Sequence, residues 1–267
     1  MIRLDAVGYR YAGASRPSLS DIDLELPDGQ VVGLAGASES GKSTLCLVVA
    51  GLAPRAIRGT LTGRMLIDGM DVTTRPMHEL ASLVGIGFQN PATQLSGVAD
   101  TVYEEIAFGP ANLGVARGDL MARVEDALER LGIGDLAARD PAHLSGGQMQ
   151  LVGIAGLLAM RPRHLVLDEP TAQLDPAGTT LVADALAALA ADGATILVAE
   201  QKTDLLARIC ARVIVLGAGR ITLDGPTADV LGDTRLDGLG VPLPSEVRLR
   251  RAFAAAGLPA DAARVPA

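Results

Sequence analysis

Val31–Thr44 reads VVGLAGASESGKST, an apolar strand-like run that breaks into a loop of small and polar residues just before a second apolar segment. Within it, Gly36-Ala37-Ser38-Glu39-Ser40-Gly41-Lys42-Ser43-Thr44 fits the pattern G-x-x-x-x-G-K-[ST]. The strand–loop–helix setting gives the pattern physical meaning. Successive backbone N–H groups and a helix N-terminus can wrap phosphate oxygens. Lys42 can reach the β- and γ-phosphates, and the Ser43 hydroxyl can ligate Mg²⁺. The competing reading is a chance glycine-rich turn, so the rest of the chain must decide.

Outward from this loop, short strand-like bursts precede it: IRLDAVGYRY, then LSDIDLELP, separated from VVGLAG by Pro27-Asp28-Gly29. After the helical segment Ser43–Leu52, strand signal returns at Arg64–Asp68 and Leu83–Phe88. It then vanishes from about Asn90 to Ala142. There Leu120, Val124, Ala127, Leu128 and Leu131 recur at helical spacing, opposite Glu125, Asp126, Glu129 and Arg130. This stretch is expected to be a helical insertion, about residues 90–160, in one α/β core. Beyond it come LVLD at Leu165–Asp168, a helix at Ala177–Ala191, Thr195–Ala199, a helix at Thr203–Cys210, and VIVL at Val213–Leu216. Such alternation predicts a mainly parallel sheet covered on both faces. A Pro/Gly-interrupted tail follows from about Asp233, with one short helix near Val247–Ala256. There is no internal repeat.

Two further motifs strengthen the loop. Asp168-Glu169 ends an apolar strand, where ligands bind in open α/β sheets. Asp168 could hold Mg²⁺ and Glu169 could polarise an attacking water. Alone, such a pair is commonly a solvated turn. Leu144-Ser145-Gly146-Gly147-Gln148 stands just before a helix and reads as a second phosphate-binding helix end. Ser145 is equally an N-cap, but a cap does not account for Gly146-Gly147.

The chain has 267 residues, about half of them apolar, and a formal charge of −8. That balance argues against a protein that coats nucleic acid, yet it allows nucleotide binding, which needs local N–H groups and one lysine. Cys46 and Cys210 sit in apolar helical surroundings and are expected to be buried thiols. The N-terminus has no signal-peptide pattern, and the apolar run Leu151–Met160 is too short to span a bilayer.

With these motifs in order, the sequence resembles the ABC ATPase family along nearly its whole length. The resemblance implies a P-loop NTPase core of mainly parallel sheet with an antiparallel β subdomain and an inserted helical subdomain. An ATPase domain is expected over 1–232, with a short extension at 233–267 that is a candidate for dimerisation. It implies ATP and Mg²⁺ as cofactors. Leu144–Gln148 looks like the family signature, so that Ser145, Gly146, Gly147 and Gln148 would act on ATP bound to a partner's phosphate loop. Gln89 looks like the glutamine that senses Mg²⁺ and the membrane partner, Asp175 like the D-loop aspartate, and Tyr11 like the aromatic that stacks on adenine. An ordinary strand tyrosine is the competing reading of Tyr11.

Gly87–Gly97 (GFQNPATQLSG), Thr101–Gly114 (TVYEEIAFGPANLG) and Gly219–Asp233 (GRITLDGPTADVLGD) resemble the energy-coupling factor ATPases, which drive uptake of vitamins and of cobalt or nickel ions. The partners so implied are a second ABC ATPase, a transmembrane coupling protein and a small substrate-binding membrane protein, with no nucleic acid. The chain is then expected as a peripheral protein on the cytoplasmic face of the membrane. Three positions depart from the family. Gln201 falls where a switch histidine is usual, and it cannot carry a proton. Glu39 stands where glycine is usual, and it would either weaken ATP binding or face the partner subunit. Leu151 stands where arginine commonly follows the signature. The expectation is slow hydrolysis in an asymmetric dimer. Two alternatives stand beside it: an ATP-binding clamp that scarcely turns over, and a soluble non-transport ABC ATPase.

Overall fold

In a computed structural model that describes residues 1–256, the apolar run before the phosphate loop is a strand and the apolar segment after it is a helix. In chain order the strands are β1 (Ile2–Tyr11), β2 (Leu19–Leu26), β3 (Val31–Gly36), β4 (Gly59–Ile67), β5 (Met70–Asp71), β6 (Val84–Gly87), β7 (His164–Asp168), β8 (Thr195–Ala199), β9 (Arg212–Gly217) and β10 (Arg220–Pro226). The helices are α1 (Lys42–Val49), α2 (Leu52–Arg55), α3 (Met77–Ala81), α4 (Val102–Asn112), α5 (Arg117–Arg130), α6 (Gly146–Met160), α7 (Pro176–Ala191), α8 (Thr203–Ile209), α9 (Thr227–Leu231) and α10 (Ser245–Ala255).

The main sheet has the order β10-β9-β3-β8-β7-β6. Its neighbours run parallel except β10, which returns antiparallel beside β9. The β3, β7 and β8 strands are buried along their whole length. Because successive side chains point to opposite faces, each strand feeds two cores. Ala35, Leu165, Leu167, Ile196, Val198, Val213 and Val215 join one core with residues of α4, α5, α6 and α7. Leu34, Val166, Leu197, Ala199, Ile214 and Leu216 join the other, with α1 and a second, antiparallel sheet of order β2-β1-β4-β5. The mainly parallel core, the antiparallel β layer and the helical insertion are those expected from the sequence.

The insertion is helical for identifiable local reasons. Thr101 and Glu104 form a capping box at the start of α4. In α5, Val124, Ala127 and Leu128 fall on one buried face. The chain leaves after β6 and returns as β7, which pairs with it, so the insertion projects from one edge without disturbing the sheet.

Several boundaries differ from those read in the sequence. The strand expected at Arg64–Asp68 begins at Gly59, since the first half of β4 is polar and largely exposed. The helix expected to reach Leu52 ends at Val49, and Gly51 adopts a left-handed φ of 74°. Strands β5 and β10 and helices α3 and α9 carried too little apolar periodicity to be read. The C-terminal helix expected near Val247–Ala256 is α10, and positions 257–267 of the extension lie outside the described residues. Both cysteines are buried and free. Burial pushes the Cys210 thiol up to about 12 and raises Cys46 as well.

His164 opens β7 fully buried, with Nε2 3.1 Å from Asp68 Oδ1 and Nδ1 without a partner. Burial holds its imidazole below the ordinary value despite the Asp68 carboxylate. The unfolded chain therefore binds the proton first, and stability falls as pH drops below about 6.5. The His164→Gln variant is expected to flatten the decline of Tm between about pH 7 and pH 5. An undiminished slope in thermal melts would assign the acid sensitivity to other groups.

Candidate active site

Burial of both sheet faces leaves the carboxyl edge for polar chemistry, and four neighbouring strands end there: β3, β8, β7 and β6. The loops after them bring together the phosphate loop, Gln201, Glu169 and Gln89. A cleft of about 760 Å³ opens between them, lined by Ser38, Glu39, Gly41, Lys42, Ser43, Thr44, Gln89, Glu169 and Gln201. Its far wall is Arg16, Pro17, Ser18, Ala218 and Gly219.

The loop's shape requires its glycines at two contacts. Gly41, at φ 109°, caps α1, and a Cβ there would lie 2.9 Å from the Ser18 carbonyl oxygen. Gly219, at φ 76°, would meet the same oxygen at 2.5 Å. The Gly219 N–H donates to the Ser40 carbonyl, so the β9–β10 turn braces the phosphate loop from behind. Lys42 is buried, and its Nζ donates to the carbonyls of Gly36 at 2.9 Å and Ala37 at 3.0 Å. An ammonium group has a further N–H to offer, which can meet an anionic oxygen in the cleft.

Glu169 is the hub of the opposite wall. Its Oε1 accepts from Gln201 Nε2 at 2.5 Å and its Oε2 accepts from Gln89 Nε2 at 2.9 Å. Its backbone is left-handed, at φ 50°, and its N–H donates to the Ala199 carbonyl. Such a conformation in a non-glycine residue costs on the order of 1–2 kcal/mol and is concentrated at functional sites. Next to it Asp168 is buried, with Oδ1 lacking any hydrogen-bond partner. Burial raises its carboxyl above the ordinary range, partly offset by the Ser43 hydroxyl. An orphaned carboxylate oxygen beside a hydroxyl is a donor set that suits a small hard cation.

Other expected residues lie outside the cleft. The Tyr11 hydroxyl is 3.1 Å from Thr44 Oγ1, and its ring meets Tyr9 edge-on at 5.0 Å. Ser145 and Gln148 form a capping box at the start of α6. Asp175 caps α7 through the Gly178 N–H at 2.7 Å. The sequence reading missed Arg16, Ser18 and Gly219 on the far wall. Arg16 and Ser18 carried no motif, and the Ala218-Gly219 turn had nothing local to tie it to a loop far earlier in the chain.

Comparison with known proteins bears on the family and the fold. The family model described as ABC transporter matches residues 19–172, more than half of the chain. The energy-coupling factor transporter ATP-binding protein EcfA2 of Symbiobacterium thermophilum is 39% identical over 237 residues, 87% of this chain and 80% of that protein. Among solved structures, cbiO1 from Clostridium perfringens, described as part of the ABC transporter complex cbiONQ, is similar with a TM-score of 0.75 at 30% identity, over 94% of this chain and 98% of that one. The ATP-binding cassette MJ0796, solved as a dimer in a post-hydrolysis state with ADP and Pi, gives a TM-score of 0.75 at 25% identity, over 85% of this chain and 99% of that one.

Glu39 is exposed at the mouth of the cleft in a left-handed conformation, φ 61°. Glycine adopts that conformation without the cost of about 1 kcal/mol, and it brings no negative charge toward a triphosphate. The Glu39→Gly variant is expected to bind ATP several-fold more tightly in calorimetric titration. Weaker binding would mean that the carboxylate contributes a contact of its own.

Proposed function

Because this chain belongs to the ABC transporter family of ATP-binding, ATP-hydrolysing subunits, we propose that it energises a membrane importer of the energy-coupling factor type, for a vitamin or a transition-metal ion. The observation that carries the ATPase site is the convergence of Lys42, Gln89, Glu169 and Gln201 on one cleft. The subtype is supported by the stretches Gly87–Gly97 and Thr101–Gly114 and by the likeness to EcfA2.

In this reading Lys42 and the N–H groups of Gly36–Thr44 hold the β- and γ-phosphates. Tyr11, held by Thr44 at the margin of the cleft rather than in it, would stack on adenine. Ser43, Asp168 and Gln89 would hold Mg²⁺, which when bound neutralises phosphate charge. Glu169 takes the proton from the attacking water, and Gln201 hydrogen-bonds the γ-phosphate. Each oxygen of Glu169 accepts one amide N–H, which fixes the carboxylate and leaves a second lone pair on each oxygen to receive the water's O–H. Ser145, Gly146, Gly147, Gln148 and Asp175 serve the ATP of a second subunit across a dimer, which fits their position outside this chain's own cleft. That second subunit is a different ATPase, whose site carries the faster turnover.

No described helix is long and apolar enough to cross a membrane. The proposed anchor on the cytoplasmic face is therefore a transmembrane coupling protein, joined by a small substrate-binding membrane protein. A shallow groove of about 190 Å³, lined by Leu95, Phe108, Leu157 and Met160, lies beside the loop that follows β6. Phe108 is 43% exposed there, which favours an apolar partner helix.

One observation favours a second reading. Gln201, read here as the switch residue, donates to Glu169, and its amide cannot carry a proton. The chain would then act mainly as an ATP-dependent clamp. In the assembled complex, Gln201→His is expected to raise hydrolysis by about tenfold or more. No gain in steady-state rate would remove the glutamine as the cause of slow turnover.

Tagged Glu169→Gln chain, drawn from detergent-solubilised membranes, is expected to bring down a transmembrane coupling protein, a second ATPase and a small membrane-embedded binding protein, identified by mass spectrometry. Phe108→Asp should deplete the coupling protein while leaving ATP affinity unchanged. Recovery of soluble partners alone would sink the importer.

A further inference from the structure

Glu200 immediately precedes Gln201 and is 2% exposed, although no cation lies within ion-pair distance of it among the described residues. A buried carboxylate of this kind is costly unless hydrogen bonds replace its water. Here they do. Glu200 Oε2 accepts from the Thr171 hydroxyl at 3.0 Å, and Oε1 accepts from the backbone N–H groups of Gln201 at 3.0 Å and Lys202 at 3.1 Å. Its own N–H donates to the Leu34 carbonyl on the strand that feeds the phosphate loop.

Lys202 grips the same threonine from its other end. Its Nζ donates to the Thr171 carbonyl at 2.6 Å and reaches the Leu174 carbonyl and the Thr179 hydroxyl at 3.5 Å each. Thr171, fully buried, is two positions beyond Glu169. The loop between them is closed by Ala172 N–H donating to the Glu169 carbonyl and Leu174 N–H to the Thr171 carbonyl. One connected network therefore runs from Glu169 through Gln201, Glu200, Thr171 and Lys202 to Leu174, next to Asp175.

We propose that Glu200 and Lys202 are positioning residues that clamp Thr171 between the loops after β7 and β8, and so hold Gln201 and Glu169 in register with each other and with the Leu174–Asp175 turn. The inference rests on the ATPase reading of the cleft. Its physical motive is the glutamine. A Gln side chain rotates about more bonds than a histidine and loses more entropy when aimed at one carboxylate. Fixing its backbone N–H on a buried carboxylate anchors the point from which the side chain reaches Glu169 before any nucleotide arrives. The clamp also gives the turn at Leu174–Asp175 a rigid link to the amide on Glu169, so displacement of the turn is felt at the base.

The test uses the full chain. Lys202→Met keeps most of the stem and removes the ammonium, Lys202→Arg restores a cation, and Thr171→Val removes the hydroxyl with little change in volume. Lys202→Met is expected to lower kcat about tenfold with KM for ATP within about twofold, and Lys202→Arg to recover most of the loss. Amide exchange over residues 171–175 with ATP present should become about tenfold faster in Lys202→Met and in Thr171→Val. Unchanged exchange, or a kcat equal to the parent's in Lys202→Met, overturns the clamp. Lys42→Ala is measured in parallel. Parental ATP affinity in that variant would overturn the nucleotide-site reading, while the exchange comparison, which needs no turnover, still decides the clamp.

Discussion

Burial of both faces of the parallel sheet is the constraint on which the rest of this molecule depends. In β3, β7 and β8 every residue is buried, and alternate side chains supply two separate cores. Each fully buried aliphatic side chain contributes roughly 1.5–3 kcal/mol to the fold. Polar residues stand only at the strand ends, His164 and Asp168 in β7 and Thr195 in β8, because one between them would meet an uncompensated desolvation cost. Chemistry is thereby confined to the strand ends, and adjacency in the order β3-β8-β7-β6 decides which loops share a cleft. Rigid strands hold the loops at fixed spacing, which lets Gln89 and Gln201 reach the two oxygens of one carboxylate.

The cleft departs from the economy of the core in several places. Glu39 and Glu169 sit at positive φ, Asp168 carries an orphaned buried oxygen, and Glu200 is buried without a cation. Each is unfavourable by itself, and each lies within or directly behind the cleft. Groups that a bound cation or polyphosphate would satisfy (Asp168 Oδ1, the free N–H of Lys42) lie beside Glu169 and in the phosphate loop, whereas Glu200 is satisfied from within by Thr171 and two backbone N–H groups. The first kind prepares for a ligand. The second holds the protein parts that act on it.

Much of this was legible without coordinates, and what was not has a physical explanation. Strands β3, β7, β8 and β9 could be read because burial on both faces demands continuous apolar runs. The first half of β4, together with β5 and β10, could not, because edge and exposed strands need no such run. Residues of the candidate phosphate loop and the pair Asp168-Glu169 could be proposed from sequence because phosphate and water chemistry restrict residue type at short spacing. Arg16, Ser18 and Gly219 were not identifiable. Their role comes from lying across the cleft, and no local pattern records that.

The order of motifs along the chain by itself determined the family, the ATPase chemistry and the layered α/β architecture, because each motif is a local arrangement of backbone and side chain encoded within a few residues. It also marked Gln201 and Glu39 as departures. Only the tertiary structure decided what surrounds Gln201 and the residues next to it. Gln201 donates to Glu169, 32 residues away in sequence, and Glu200 and Lys202 fasten the two loops through Thr171. Such contacts arise from the pairing of β7 with β8, and the packing of strands brings together residues whose separation in sequence carries no information about their separation in space.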